Sequence, residues 1–306
     1  MSVGSGFLMT NRSLKNLNYL DLIPTVVNCL EPYKDVKLYE RKKREERMKI
    51  ELTGGVVTSI TDNSIKEVKS NFMRNNRYLK DITLDNVETI GDFFVSTNDS
   101  LNSVTFPQVK KIGRNFLTWN RKMEVASFAN LEEVGDNFLS FNRIIIEVDL
   151  PKLKNAGNYF LNCKYELTSI SLPSLEVAGE SFMNNCFRLS EVDLPKLTSI
   201  GDSAFKCCNK IRNLCLPELT KAASFFLTGN SVIEEISLPK LELMPNCFME
   251  DVTVDLKKIN LPILKEVKVI QHSKIIKGWV REQVEAGTLA FSDCSGVSQF
   301  PYWFRD

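Results

Sequence analysis

The chain has 306 residues, with 39 Lys and Arg against 38 Asp and Glu, a formal net charge of +1 and one histidine. That balance provides no electrostatic pull toward nucleic acid or an anionic membrane surface. Eight cysteines without a C-x-x-C spacing, beside that one His, argue against a structural zinc site.

Residues 1–55 do not repeat and form the expected N-terminal cap, partly helical. The opening MSVGSGFLMTNRSLKNLNYL is interrupted by Arg12 and Lys15, so it lacks the apolar core of a secretory signal peptide. The expected location is therefore cytoplasmic, or outside the cell by a signal-peptide-independent route. No stretch of sequence reaches the length of a membrane span. Leu14, Leu17, Leu20 and Leu22 predict a short helix before Pro24, with a second apolar turn at Val26, Val27 and Leu30. From Glu31 to Leu52 charges alternate at helical spacing, as in Glu40 with Arg44 and Arg41 with Glu45. This predicts a solvated helix shielding the first coil, or alternatively a partner-binding helix.

The chain repeats over about residues 56–268, and from about Val57 to Ile236 a 22-residue block recurs without drift. Apolar hexads begin at Val57, Leu79, Leu101, Met123, Ile145, Leu167, Leu189, Ile211 and Ile233, and Leu256 follows at a spacing of 23. A fixed period of this size means a solenoid of about ten coils, each burying its apolar face on the next. In LSEVDL, from Leu189 to Leu194, positions 1, 4 and 6 point inward and 2, 3 and 5 outward, as in a half-buried strand. Proline then ends the ladder, as at Pro151, Pro173 and Pro195. Glycines at Gly91, Gly113, Gly135, Gly157, Gly179 and Gly201 share one slot with Ala223 and Pro245, so close packing is expected there rather than a positive φ. Phe72, Phe94, Phe116, Phe138, Phe160, Phe182, Phe226 and Phe248 form a core column, with Phe205 displaced by one position. Three residues before each hexad stands Asn or Cys, with Lys164 the exception. A polar side chain there can satisfy turn backbone from coil to coil. These placements predict reduced and mostly buried cysteines, apart from Cys215 at an outward position.

The string SIGDSAFKCCNKIRNLCLPEL, from Ser199 to Leu219, resembles BspA-type leucine-rich repeats, in which an I-G-x-x-A-F-x-x-C block precedes L-x-x-I-x-L-P. Other coils depart from that pattern by carrying Phe, in most followed by Leu or Met, where the family has Ala-Phe. The resemblance implies a right-handed curved leucine-rich-repeat solenoid, β-rich, with a parallel sheet on the concave face and short helical caps. It also implies protein recognition in a bacterial or protist type of protein, often surface-exposed. It brings no catalytic residues.

Between Glu124 and Glu235, hexad positions 2, 3 and 5 carry seven carboxylates and one Arg, and no aromatic. Glu147, Asp149, Glu191, Asp193, Glu234 and Glu235 are the candidate partner-binding residues, forming an acidic strip for a protein with a basic surface. A structural or self-associating scaffold is the alternative. Residues 269–306 leave the period and form the expected C-terminal cap. Lys274 to Gly287 predicts a helix ending at its Gly. Phe291, Phe300, Tyr302, Trp303 and Phe304 suit a plug on the last coil, or a tail that docks a partner. Cys294 with His272 is the one nucleophile–base pairing, which leaves a weak cysteine-based enzyme as a third reading. No phosphate loop, dinucleotide fingerprint or other cofactor motif occurs, so the expectation is a non-enzymatic protein-binding module with no cofactor.

Overall fold

The computed structural model describes residues 2–3, 48–53, 56–74, 76–250, 258–267 and 274–287. Residues 1–164 and 165–306 form two compact units. Each unit is a parallel-sheet solenoid built from the 22-residue coil. The first carries hexad strands Val56–Asp62, Asp81–Leu84, Ser103–Thr105, Val125–Ser127 and Glu147–Asp149. The second carries Ser169–Ser171, Glu191–Asp193, Asn213–Cys215, Glu235–Ser237 and Lys258–Asn260. Their registers follow the period: Val125 pairs with Glu147 and Ser169 with Glu191, each 22 apart, while Glu235 pairs with Lys258. A second, shorter ladder runs beside them, as in Glu133–Val134 on Asn155–Ala156 and Ser199–Ile200 on Lys221–Ala222. Ser2–Val3 adds a strand to this ladder in the first unit, parallel to Glu67–Val68.

The N-terminal charged segment differs from its helical expectation at its end. Met48–Thr53 is a β-strand, antiparallel to Val56–Asp62, with a register shift between Glu51 and Leu52. Met48, Ile50 and Leu52 alternate with polar residues at the period of two that suits a strand. Gly54-Gly55, between the two strands in sequence, is a favoured hairpin dipeptide. The rest of that segment, residues 31–47, and the two apolar turns before it lie outside the described residues.

The core is columnar. In the first unit Phe72, Phe94, Phe116, Phe138 and Phe160 stack at centroid spacings of 5.3, 5.5, 5.4 and 5.5 Å. Phe106 and Phe128 form a second short column set edge-on against them. In the second unit the one-residue displacement at Ala204-Phe205 turns that ring nearly perpendicular to both neighbours, 86° to Phe182 and 85° to Phe226. Edge-to-face and offset-stacked rings are both favourable, so the displaced ring keeps the column filled.

The glycine column packs against the preceding coil, as expected. A Cβ on Gly113 would lie 2.8 Å from the carbonyl carbon of Gly91, and one on Gly157 2.6 Å from that of Gly135. Left-handed backbone occurs instead at side-chain-bearing residues, alternating along the turn: Phe93, Val95 and Thr97 have φ of 58, 44 and 62°, and Asn115, Leu117 and Trp119 have 56, 49 and 60°. The alternation aims successive N–H groups at opposite neighbours. Phe93 donates forward to Arg114 O at 2.7 Å, Val95 backward to Phe72 O at 2.8 Å, and Thr97 forward to Thr118 O at 2.8 Å. These bonds satisfy backbone that belongs to neither strand ladder.

The ladder residues behave as their chemistry predicts. Asn98 Nδ2 donates to Leu79 O at 3.0 Å, while its Oδ1 accepts from the Ser100 and Leu101 N–H groups. Asn230 Nδ2 donates to Phe205 O and Leu227 O, both at 2.8 Å. Lys164 is fully buried, its Nζ donating to Leu139 O at 2.5 Å and Asn162 O at 3.1 Å. Cys208 Sγ donates to Met183 O at 3.1 Å. Burial, with Cys186 close by, pushes the Cys208 thiol well above its ordinary range. Cys186, Cys208 and Cys247 are buried, Cys163 and Cys207 half-buried, and Cys215 exposed. Cys29 and Cys294 lie outside the described residues.

On the first unit a charge ladder runs along the residues preceding the short strands: Lys66, Glu88, Lys110, Glu132 and Lys154. Glu88 bonds Lys110 at 3.0 Å, with Lys66 at 4.0 Å, and Glu132 bonds Lys154 at 3.0 Å. The hydrogen bond from Lys110 holds the Glu88 carboxyl below its usual range, and Lys154 does the same to Glu132.

The helix expected near the C-terminus spans Lys274–Glu285, with Ile276 and Val280 buried one turn apart on one face. Gly287 follows with φ +69° and donates to Val284 O at 3.0 Å, a C-terminal cap that suits glycine.

Candidate functional site

The hexads deliver their second, third and fifth residues outward. In the second unit Ser190, Glu191 and Asp193 are exposed while Leu189 and Leu194 are buried, so the strand pattern alone sets this face. Of the six candidate carboxylates, Glu147 and Asp149 stand exposed on the first unit, and Glu191, Asp193 and Glu235 exposed on the second. Glu234 is half-buried and bonds the Arg212 guanidinium of the preceding coil.

The carboxylates do not stack on one another. Asp149 Oδ2 accepts from Ser127 Oγ at 3.0 Å, and Asp193 Oδ2 from Ser171 Oγ at 2.7 Å. Each Asp therefore faces a hydroxyl one coil earlier, which removes the like-charge repulsion that the column suggests in sequence. Glu147, Glu191 and Glu235 have no side-chain partner among the described residues.

Sequence reasoning counted Arg212 on this face but missed Arg188 and Lys210 beside it. Arg188 and Lys210 occupy the position just before the hexad in consecutive coils, and Arg212 is a second hexad residue. With Thr168, Ser190 and Glu191 they line an open depression of about 710 Å³ on the second unit. Arg188 bonds Glu166, one coil earlier in the same column. The signal was present as the 22-residue column Glu166, Arg188, Lys210, but it lies outside the strand positions that alternate in and out.

Aromatic residues also flank the hexads. Trp119 and Phe141 stack at 4.4 Å on the first unit, with Trp119 exposed, and Tyr165 and Phe187 lie 5.3 Å apart on the second. Both pairs are 22 apart in sequence. The absence of aromatics at positions 2, 3 and 5 therefore does not leave the neighbouring surface without them.

Among the described residues no cluster of three or more His, Cys, Asp or Glu is placed to hold a metal ion, and no helix is long and apolar enough to cross a membrane. His272, Cys294 and the aromatic tail from Phe291 to Phe304 lie outside the described residues.

The profile of the BspA type leucine-rich repeat region matches residues 55–165 and 154–274, in six copies. Among solved structures, the chain is similar to a leucine-rich repeat protein from Bacteroides ovatus ATCC 8483, at 16% identity, covering 73% of this chain and 81% of that one, with a TM-score of 0.41. It is similar to the pneumococcal vaccine antigen PcpA at 14% identity, over 79% and 86% of the two chains, with a TM-score of 0.30. A leucine-rich cell surface protein from Faecalibacterium prausnitzii A2-165 matches at 11% identity, over 73% and 81%, with a TM-score of 0.36. No curated protein matches.

Proposed function

Because the chain belongs to the BspA-type leucine-rich repeat family, we propose that it is a non-enzymatic binding module that captures a protein partner on its hexad faces. The observation that carries this reading is the exposure of Glu147 and Asp149 on the first unit, and Glu191, Asp193 and Glu235 on the second, at fixed positions of rigid parallel strands. A repeat of this kind spends its buried positions on stacking and leaves its outward positions free to vary. Carboxylates held there favour a partner with basic groups, captured quickly and in a salt-sensitive way.

The test uses the full chain and its Glu191→Lys/Asp193→Lys variant, immobilised side by side. Proteins retained by the wild type at low salt are identified, then titrated individually. A cognate partner loses affinity for the double variant and for the wild type at raised salt, while thermal unfolding of the variant is unchanged. A partner bound equally by both chains at every salt concentration rules out the carboxylates as the binding surface.

A further inference from the structure

Cations gather at the start of the hexads of the second unit, and carboxylates prevail further along them. At the hexad entrance, Arg188, Lys210 and Arg212 line one open depression of about 710 Å³, in which Glu191 is the single carboxylate. The arginines turn to Glu166 and Glu234, which do not line the hollow, and these exposed ion pairs are weak and easily exchanged. Lys210 is exposed and has no carboxylate partner among the described residues. Thr168 and Ser190 supply hydroxyls on the same wall. Past Glu191, which lines the hollow, stand Asp193 and Glu235, both exposed.

Distance along the strand decides what such a face can hold. Arg188 and Lys210 precede hexad position 3 by three residues and position 5 by five, and Arg212 precedes them by one and three, so at no more than about 3.3 Å per residue the larger offsets span at most roughly 10 and 17 Å. A uniformly basic chain laid along the strands meets Arg188, Lys210 and Arg212, and a uniformly acidic one meets Glu191, Asp193 and Glu235. Both distances are close enough for repulsion at low salt, where the Debye length reaches about 30 Å. We infer that the second unit binds an extended, dipolar peptide segment of a partner protein. Its carboxylate side chain sits in the Arg188–Lys210–Arg212 depression, and its basic side chains, three to five residues away, lie on Glu191, Asp193 and Glu235. This rests on the hexad face being the partner surface and adds the charge order of the segment it takes.

Four end-capped, fluorescein-labelled peptides test it against the full chain by fluorescence anisotropy at low salt: Glu-Glu-Gly-Ser-Lys-Lys, the same composition in alternating order, Lys-Lys-Gly-Ser-Lys-Lys and Glu-Glu-Gly-Ser-Glu-Glu. The block-ordered peptide binds tighter than the other three. Lys210→Glu, at a solvent-exposed position, weakens it by about tenfold and strengthens the all-Lys peptide, as expected for one charge pair reversed. Lys210→Gln falls between, and circular dichroism of both variants matches the wild type. If the all-Lys peptide binds as tightly as the block-ordered one and Lys210→Glu weakens neither, the depression takes no part. The inference then fails while the carboxylate surface stands. If Lys210→Glu abolishes binding but Glu191→Lys/Asp193→Lys does not change it, the carboxylate half fails and takes the proposed function with it. Absence of block-ordered binding at millimolar peptide also overturns the inference.

Discussion

Lys164, Cys186 and Cys208 occupy the coil position that in the other coils from Asn76 to Asn230 holds asparagine, so one environment carries three chemistries. Asn142 donates to Leu117 O, Lys164 reaches the equivalent Leu139 O with Nζ, and Cys208 reaches Met183 O with a weak thiol donor, each 25 residues earlier. Lys164→Met should cost about 1–3 kcal/mol, because Leu139 O and Asn162 O lose a buried charged donor and Leu139 O keeps only the Asn142 N–H at 3.3 Å. Lys164→Asn should cost less than half of that, and urea unfolding of the two variants checks the order. The thiol adds a pH dependence. Its folded pKa is raised, so the folded state holds the proton more tightly than the unfolded chain, where a thiol ionises at about 8.5. The stability tied to Cys208 is therefore fully present below about pH 8.5 and is lost as pH rises above it, by up to about 1.4 kcal/mol per pH unit. Cys208→Asn should flatten that alkaline slope in urea titrations at pH 7 to 10. Iodoacetamide should label exposed Cys215 in the native protein and reach Cys208 only after unfolding. The polar ladder was legible in the sequence because asparagine and cysteine kept its period. The burial of Lys164 was not, since a long cationic side chain ordinarily reads as solvated.

The turn with alternating left-handed residues is the element that pattern reading passed over. Left-handed backbone is usually signalled by glycine, and here it falls on Phe93, Leu117 and Trp119. Its tolerance comes from the neighbouring coils, which accept the N–H groups that the alternation turns outward. At Asn137, with φ 59°, glycine should be tolerated to within about 0.5 kcal/mol, whereas a β-branched Asn137→Val should cost about 1–2 kcal/mol. Thermal unfolding of the pair separates backbone preference from side-chain loss, because both variants lack the amide. The strands, by contrast, were plain in the sequence wherever apolar and polar residues alternated, as from Leu189 to Leu194. The strand Met48–Thr53 was hidden by i,i+4 charge pairs upstream at Glu40 and Arg41, which suggested one helix running through to Leu52. On the hexad face the carboxylates were legible, but the Arg188–Lys210–Arg212 hollow was not. It forms where consecutive coils bring Arg188 and Lys210, a column just before the hexads, beside Arg212.

At the scale of the whole chain, each coil draws its core contacts from the coils beside it, so damage should spread by neighbours. Phe138→Ala removes a ring stacked between Phe116 and Phe160 and should cost about 3–5 kcal/mol. Hydrogen exchange should then show lost protection concentrated in the flanking coils of the first unit, fading with distance. The lysine–glutamate ladder on that unit imposes a further condition, which is one of parity. Lys66, Glu88, Lys110, Glu132 and Lys154 alternate in sign, so their smallest repeating unit is two coils rather than one. Removing residues 100–121 takes out Lys110 and sets Glu88 beside Glu132. Removing residues 100–143 takes out Lys110 and Glu132 together and sets Glu88 beside Lys154. The odd deletion should therefore carry a salt-sensitive penalty of roughly 0.2–1 kcal/mol, the scale of exposed ion pairs, that the even deletion escapes. Growth or shortening of this unit by pairs of coils preserves its charge order, and a single coil gained or lost leaves one like-charged step at the join.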